Sequence, residues 1–289
     1  MNNFLIETSV PEQEYELIDS GNGEKLERYG LYTIARPDPQ ALWKKRLPQT
    51  EWDKADAYYK RAGLKGAWVK RNKIPEEWIA RIAGLSFSIE LSSFKHTGVF
   101  PEQACNWLWI EEKIKKENRD LKVLNLFGYT GGATLAAAKA GAEVTHVDAS
   151  KSSISRARKN SELSGLGNAK IRWMLDDAYK FVMREARRSS RYDAIIMDPP
   201  SYGRGAKNEM WKIEEDLVPL LEASQKILSK DPVFFLLNGY ASGYSALAYK
   251  NILSSLFQEK KGKIEAGELA IRDVSGKLLP AGIFSRWSN

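Results

Sequence analysis

A single cysteine, Cys105, stands in 289 residues, which excludes an intramolecular disulfide and a cysteine-rich zinc site. No stretch approaches the roughly 18 uninterrupted apolar residues of a membrane span. The start, Met1-Asn2-Asn3-Phe4-Leu5-Ile6-Glu7, lacks a basic segment followed by an apolar run, so a secretory leader is not expected. A cytoplasmic protein with no membrane partner and no metal is the expectation. Glycine and proline, 21 and 11 residues, are too sparse for a fibrous or low-complexity chain. What is there is ordinary globular material: 43% hydrophobic and 28% charged residues, enough for one large domain or a medium domain with an appendage.

Charge is unevenly placed. Lys151 to Lys212 holds 14 Lys and Arg against 7 Asp and Glu, an excess equal to the net +7 of the whole chain. Such a face attracts a polyanion through phosphate neutralisation and counterion release. Equally, charge runs are the common dress of a solvated helix surface.

From Leu121 onward, short apolar runs alternate with helical patterns. Lys122–Phe127, Glu143–Asp148, Lys170–Met174, Tyr192–Met197 and Val233–Asn238 read as strands, because continuous apolar runs suit strands buried on both faces. Residues Ala133–Ala140, Lys151–Leu163, Asp177–Arg187 and Ile213–Leu228 read as helices between them. The expected fold is α/β, a doubly wound, mostly parallel seven-stranded sheet of Rossmann-like type. After a helix over Ser245–Phe257, two apolar segments flank Asp273-Val274-Ser275-Gly276. So short a connection requires an antiparallel hairpin. Residues 1–94 carry turn signals between short strand-like pieces and predict a small β-rich accessory domain, with a helix near Glu51–Arg61. Residues 95–289 are assigned to the α/β domain, 95–119 being the join.

Two loops carry chemistry. Phe127-Gly128-Tyr129-Thr130-Gly131-Gly132 follows the first parallel strand, where a glycine turn lets backbone approach a ligand. Asp148, 20 residues after Gly128, ends the next strand and can accept hydrogen bonds from both hydroxyls of a ribose. That pairing points to a nucleoside cofactor. A dinucleotide fingerprint would place its second glycine where Thr130 stands, and the turn has no cation for a pyrophosphate. The spacing therefore favours a phosphate-free nucleoside, such as S-adenosylmethionine, over NAD. The second loop, Asp198-Pro199-Pro200-Ser201-Tyr202, follows an apolar strand. Its prolines stiffen a turn in which Asp198 and the Tyr202 ring can meet a planar substrate. Asp176-Asp177 follows the third strand, and Asp177 can accept from an adenine amino group or cap the following helix. Of the histidines, His146 reads as a packed mid-strand side chain; His96 is structural or lines the cofactor site.

Together these residues resemble class I S-adenosylmethionine-dependent methyltransferases, nearest to the bacterial large-subunit ribosomal RNA methyltransferases. His96-Thr97-Gly98-Val99-Phe100-Pro101-Glu102-Gln103 is similar to that family's cofactor-enclosing segment. The resemblance implies that Phe100 and Gln103 flank the cofactor and that Asn125 to Gly131, including Phe127, Gly128 and Thr130, hold its methionine part. It further implies Asp148 with Ala149 at the ribose, Asp177 at the adenine, and Asp198, Pro199 and Tyr202 at the reaction centre, Asp198 also bordering the cofactor. The implied acceptor is a base of ribosomal or other RNA. A small molecule or protein is the alternative acceptor, and an RNA-binding protein with a degenerate cofactor fold the non-enzymatic one. Cytosine C5 methylation in this family uses a cysteine in the substrate loops. Cys105 lies upstream of the glycine turn, so a covalent mechanism is not expected.

Overall fold

The computed structural model describes residues 4–9, 12–62, 65–92, 95–204, 210–240 and 243–289. It divides into two compact units, one of Met1–Glu7, Cys105–Leu269 and Gly282–Asn289, the other of Thr8–Ala104 and Ala270–Ala281. The chain begins with β1 (Leu5–Ser9), β2 (Tyr15–Gly21), β3 (Glu24–Tyr29), β4 (Tyr32–Pro37), α1 (Gln49–Trp52), β5 (Ala57–Ala62), β6 (Lys65–Lys70), β7 (Glu77–Ile82) and β8 (Leu85–Glu90). It continues with α2 (Ala104–Lys115), β9 (Lys122–Leu126), α3 (Gly132–Lys139), β10 (Glu143–Asp148), α4 (Lys151–Leu163), β11 (Ile171–Leu175), α5 (Ala178–Arg187) and β12 (Ala194–Met197). Last come β13 (Tyr202–Arg204), β14 (Met210–Lys212), α6 (Ile213–Gln225), β15 (Phe234–Gly239), α7 (Ala246–Leu256), β16 (Lys263–Arg272) and β17 (Leu278–Ser288).

Among the described residues the large sheet has eight strands in the order β1-β16-β17-β15-β12-β9-β10-β11. That is one more than the seven expected, because Leu5–Ser9, read from sequence as part of the accessory domain, adds an edge strand. Strands β15, β12, β9, β10 and β11 are parallel, and β17 runs antiparallel to β15. The helical crossovers between the parallel strands are what such pairing demands.

Burial alternates with period two along the central strands. Leu124, Leu126, Ile195, Met197, Phe235 and Leu237 join a core with residues of α5, α6 and α7. Their neighbours Val123, Ala194, Ile196, Phe234 and Leu236 join a second core with residues of α2 and α3. Two layers of helix therefore cover the sheet, which is why these strands read as unbroken apolar runs. Helix α2 lies within the segment read from sequence as a mere join; its Trp109, Ile110 and Ile114 face the second core.

The other unit is β-rich. Strands β2 to β6 form a five-stranded sheet and β7 pairs with β8. The helix expected over Glu51–Arg61 is not formed. Helix α1 stops at Trp52, and from Ala57 the chain is a strand paired parallel with β4 and antiparallel with β6. Local helix preference yields there to strand pairing on both sides and to burial of Ala57.

Candidate active site at the carboxyl ends of the parallel strands

Strands β9, β10, β11 and β12 are in register as parallel neighbours, so the segments leaving them gather along one sheet edge. This topology brings Phe127–Gly131, Asp148, Asp177 and Asp198 together from distant stretches of sequence. In open α/β sheets that edge is where ligands bind.

The turn after β9 is a tight backbone knot. Phe127, Tyr129 and Gly131 have φ of 57°, 48° and 96°, left-handed values that cost little only for glycine. Tertiary contacts pin the two others. The Phe127 ring packs on Trp211 at 5.0 Å between centroids, and the Tyr129 backbone N–H donates to Asp148 Oδ2 at 2.8 Å. The Gly128 N–H donates to the Val147 carbonyl at 3.0 Å, and the Gly131 N–H to the Gly128 carbonyl at 3.0 Å. Asn160 of α4 donates to the Thr130 carbonyl at 2.9 Å. Beneath the turn, Asn125 donates to Thr134 Oγ1 at 2.8 Å, and Thr134 Oγ1 bonds His146 Nδ1 at 2.8 Å.

Each glycine of the turn has its own reason. A Cβ on Gly128 would overlap the His146 ring, and one on Gly132 would overlap Trp107. Gly131 combines its left-handed φ with a contact of 3.1 Å from an added Cβ to Ala157. The run thus answers to the packing beneath it as well as to any ligand above. His146 is fully buried, and burial alone pushes its pKa down to about 3, so the floor of the turn is a neutral ring. Gly128→Ala is accordingly expected to destabilise the protein by about 1–3 kcal/mol through overpacking, seen as a lower urea midpoint. An unchanged midpoint would mean that the ring can swing aside.

Asp148 is the carboxyl group held against the turn. Its Oδ1 accepts from the Ser150 N–H at 2.8 Å and its Oδ2 from Tyr129. Burial raises its pKa, against the lowering effect of these two N–H groups. Asp177 caps α5, its Oδ1 accepting from the Lys180 N–H at 2.9 Å. Asp176 pairs with Arg184.

Asp198 is half-buried at the end of β12, Pro199 is buried and Tyr202 is 56% exposed. Strands β13 and β14 pair antiparallel beyond this loop, and the Tyr202 hydroxyl reaches Met210 Sδ at 3.3 Å. Trp211, which sequence reasoning passed over, ties the two loops together. Its Nε1 donates to the Pro200 carbonyl at 2.6 Å, while its ring packs on Phe127. Nothing in local sequence marks it, since one contact lies 11 residues back and the other on the turn after a different strand. Lys207 and Glu209 of the basic run lie outside the described residues.

Phe100 and Gln103 belong to the other unit. There Phe100 leads into a single 3-10 turn, 101–103, its carbonyl accepting from the Gln103 N–H at 3.0 Å. Its ring lies 5.4 Å from that of His96. Cys105 lies in the first turn of α2, and burial with the nearby Glu7 pushes its thiol up to about 12, the opposite of what a nucleophilic thiolate requires.

The family model of S-adenosylmethionine-dependent methyltransferases matches residues 57–229. The chain belongs to this family. A solved structure described as a S-adenosylmethionine-dependent methyltransferase from Agrobacterium tumefaciens is 41% identical, with a TM-score of 0.94 over 98% of this chain and 93% of that one. The ribosomal RNA large subunit methyltransferase K of Neisseria meningitidis is 22% identical over 96% of this chain and 75% of that protein. The ribosomal RNA large subunit methyltransferase K/L of Shewanella frigidimarina is 32% identical over 53% of this chain, and the match spans only 21% of that protein.

S-adenosylmethionine is therefore the cofactor of this methyltransferase, and the strand ends suit it. A carboxylate whose oxygens each take one backbone N–H retains lone pairs for two hydroxyls. Residues 127–132 contain no cation, which matches a ligand without phosphate. Among the described residues, no helix is long and apolar enough to cross a membrane.

Proposed function

We propose that this methyltransferase acts on a nitrogen of an RNA base, in ribosomal RNA. The observation that carries the reading is the convergence of the Asp148-braced turn and the Asp198–Tyr202 loop at the ends of neighbouring strands, joined through Trp211. Two relatives bear ribosomal RNA methyltransferase names, and the excess charge lies in Lys151–Lys212, the stretch that contains the acceptor loop.

In this reading Asp148 accepts both ribose hydroxyls with Ala149 beside it, Asp177 accepts from the adenine amino group, and Asn125 to Gly131 surround the methionine part. When bound, S-adenosylmethionine supplies an electrophilic methyl group to an incoming lone pair. Tyr202 stacks on the acceptor base, and Asp198 or the Pro199 carbonyl accepts its N–H, aiming the nitrogen lone pair. Asp198 or water then takes the proton that the nitrogen gives up. The chain works mainly by proximity and orientation, and no thiol is used. The β-rich accessory domain expected over residues 1–94 takes the role of substrate recognition.

Purified protein incubated with radiolabelled S-adenosylmethionine and RNA from cells lacking its gene is expected to place label in RNA. Label appearing only in protein or small-metabolite fractions run in parallel would overturn the RNA assignment.

Trp211→Phe keeps an aromatic ring against Phe127 and deletes the donor to Pro200. We expect about a tenfold loss in kcat/KM for the acceptor, the worth of one hydrogen bond, with stabilisation by S-adenosylmethionine unchanged. Loss of cofactor binding instead would place the residue's effect on the glycine turn.

A further inference from the structure

Helix α5 starts at the carboxyl end of β11, the edge strand of the large sheet. Along it runs an apolar strip that the proposed chemistry does not use. Leu175, Tyr179 and Met183 are 50%, 40% and 40% exposed. Their spacing of four stacks Tyr179 and Met183 on one helix face, with Leu175 leading into it. Large exposed side chains aligned in this way mark interaction surfaces more often than scattered ones do.

The charge around the strip selects the partner. Residues 170–191 hold 7 Lys and Arg against Asp176, Asp177 and Glu185. All three carboxylates are engaged within the fold. Asp176 pairs with Arg184, Asp177 caps α5, and buried Glu185 accepts from the Tyr192 hydroxyl at 2.9 Å and from Arg188 at 3.2 Å. The side chains of Lys180, Arg187 and Arg191 are exposed to solvent. A second copy docked isologously would bring this positive strip against itself, and like charges facing across an interface oppose association. A polyanion meets no such penalty. Cations along a helix with an aromatic ring among them are the pattern that tracks a nucleic-acid backbone and stacks unpaired bases.

We propose that the α5 strip is a docking surface for a single-stranded segment of the RNA substrate, Tyr179 stacking on a base while Lys180, Arg187 and Arg191 contact phosphates. This rests on RNA being the acceptor. The strip begins next to Asp177, at the sheet edge where the cofactor turn and acceptor loop lie, so a strand held there extends away from the base being modified.

The test uses the full chain and a fluorescently labelled single-stranded RNA oligonucleotide of mixed sequence, with anisotropy measured over a series of KCl concentrations. For Arg187→Glu/Arg191→Glu, the slope of log affinity against log salt should fall by about 2, one for each phosphate contact removed. Tyr179→Ala should weaken binding by about tenfold at every salt concentration. Both variants should keep the wild-type thermal stabilisation by S-adenosylmethionine, which reports an intact fold and cofactor site. If wild type transfers label to RNA but the variants keep its slope and affinity, the strip is overturned and the acceptor assignment stands. If wild type binds no RNA even at the lowest salt, both are overturned. If Tyr179→Ala instead dissociates a dimer in sedimentation and leaves RNA binding intact, the strip is a self-association face and the proposal fails.

Discussion

Asp148→Ala is expected to abolish the thermal stabilisation that S-adenosylmethionine confers, weakening cofactor affinity by about 10²–10³-fold. Hydrogen bonds to a charged acceptor contribute about 1.5–3 kcal/mol each. Losing two of them to a ribose, each near the lower end of that range, amounts to about 3–4 kcal/mol, and every 1.4 kcal/mol is a factor of ten. The substitution also releases Tyr129 and Ser150, whose backbone N–H groups the carboxylate holds, so the turn loses a brace together with the ligand. Titrating S-adenosylmethionine against melting temperature reads the effect directly, since the gain follows ligand concentration over Kd, and NAD serves as a control that should give no shift. Because burial raises the pKa of Asp148, affinity should begin to fall with acidification at a higher pH than for an ordinary carboxylate. A variant that binds normally would move the ribose contact to another residue.

The second large effect is expected in the β-rich unit, at a buried ion pair. Glu27 is completely buried, as is Arg36 to within 4%. Glu27 Oε1 accepts from the Tyr15 hydroxyl at 3.0 Å, the Tyr29 hydroxyl at 3.1 Å and Arg36 Nη2 at 3.0 Å, and Oε2 accepts from Arg36 Nε at 2.5 Å. Burial would raise the pKa of Glu27, but Arg36 and Lys25, with the hydrogen bonds from Arg36 and Tyr15, bring it to about 2. Arg36→Met strands this carboxylate without its main partner, which costs about 3–5 kcal/mol in urea unfolding. Adding Glu27→Leu to Arg36→Met should recover part of that loss, because removing both charges removes the desolvation penalty as well. The pH dependence has a definite sign. A folded pKa of about 2 against the ordinary 4.5 is a depressed one, so its contribution is complete above about pH 4.5 and is lost as pH falls toward 2. The wild-type urea midpoint should drop across that window. A cost below about 1 kcal/mol for Arg36→Met would show that water reaches Glu27 on loss of its partner.

Much of the α/β unit was legible because its signals are local. Continuous apolar runs marked β9, β10, β12 and β15 to within a residue or two, and the helices between them began at capping residues such as Asp177 and Ser245. The β-rich unit was harder. Its strands are short, and the helix expected over Glu51–Arg61 was overridden by partners on both sides of β5. The eighth strand of the large sheet escaped notice because membership of a sheet is settled by neighbours, which a five-residue segment does not announce.

The sequence by itself determined the fold class, the family and the cofactor, since strand–helix alternation, the turn at 127–132 and an aspartate at the end of the next strand are each written within a few residues. Only the tertiary structure decided why Gly128 and Gly132 must be glycine, through the rings of His146 and Trp107, and that Trp211 joins the two loops. It also showed that the carboxylates around α5 are consumed internally while cations stay exposed. The glycine and Trp211 contacts join residues that local propensity does not connect, and the α5 pairings depend on which side chains the helix turns toward one another; close packing is what selects them.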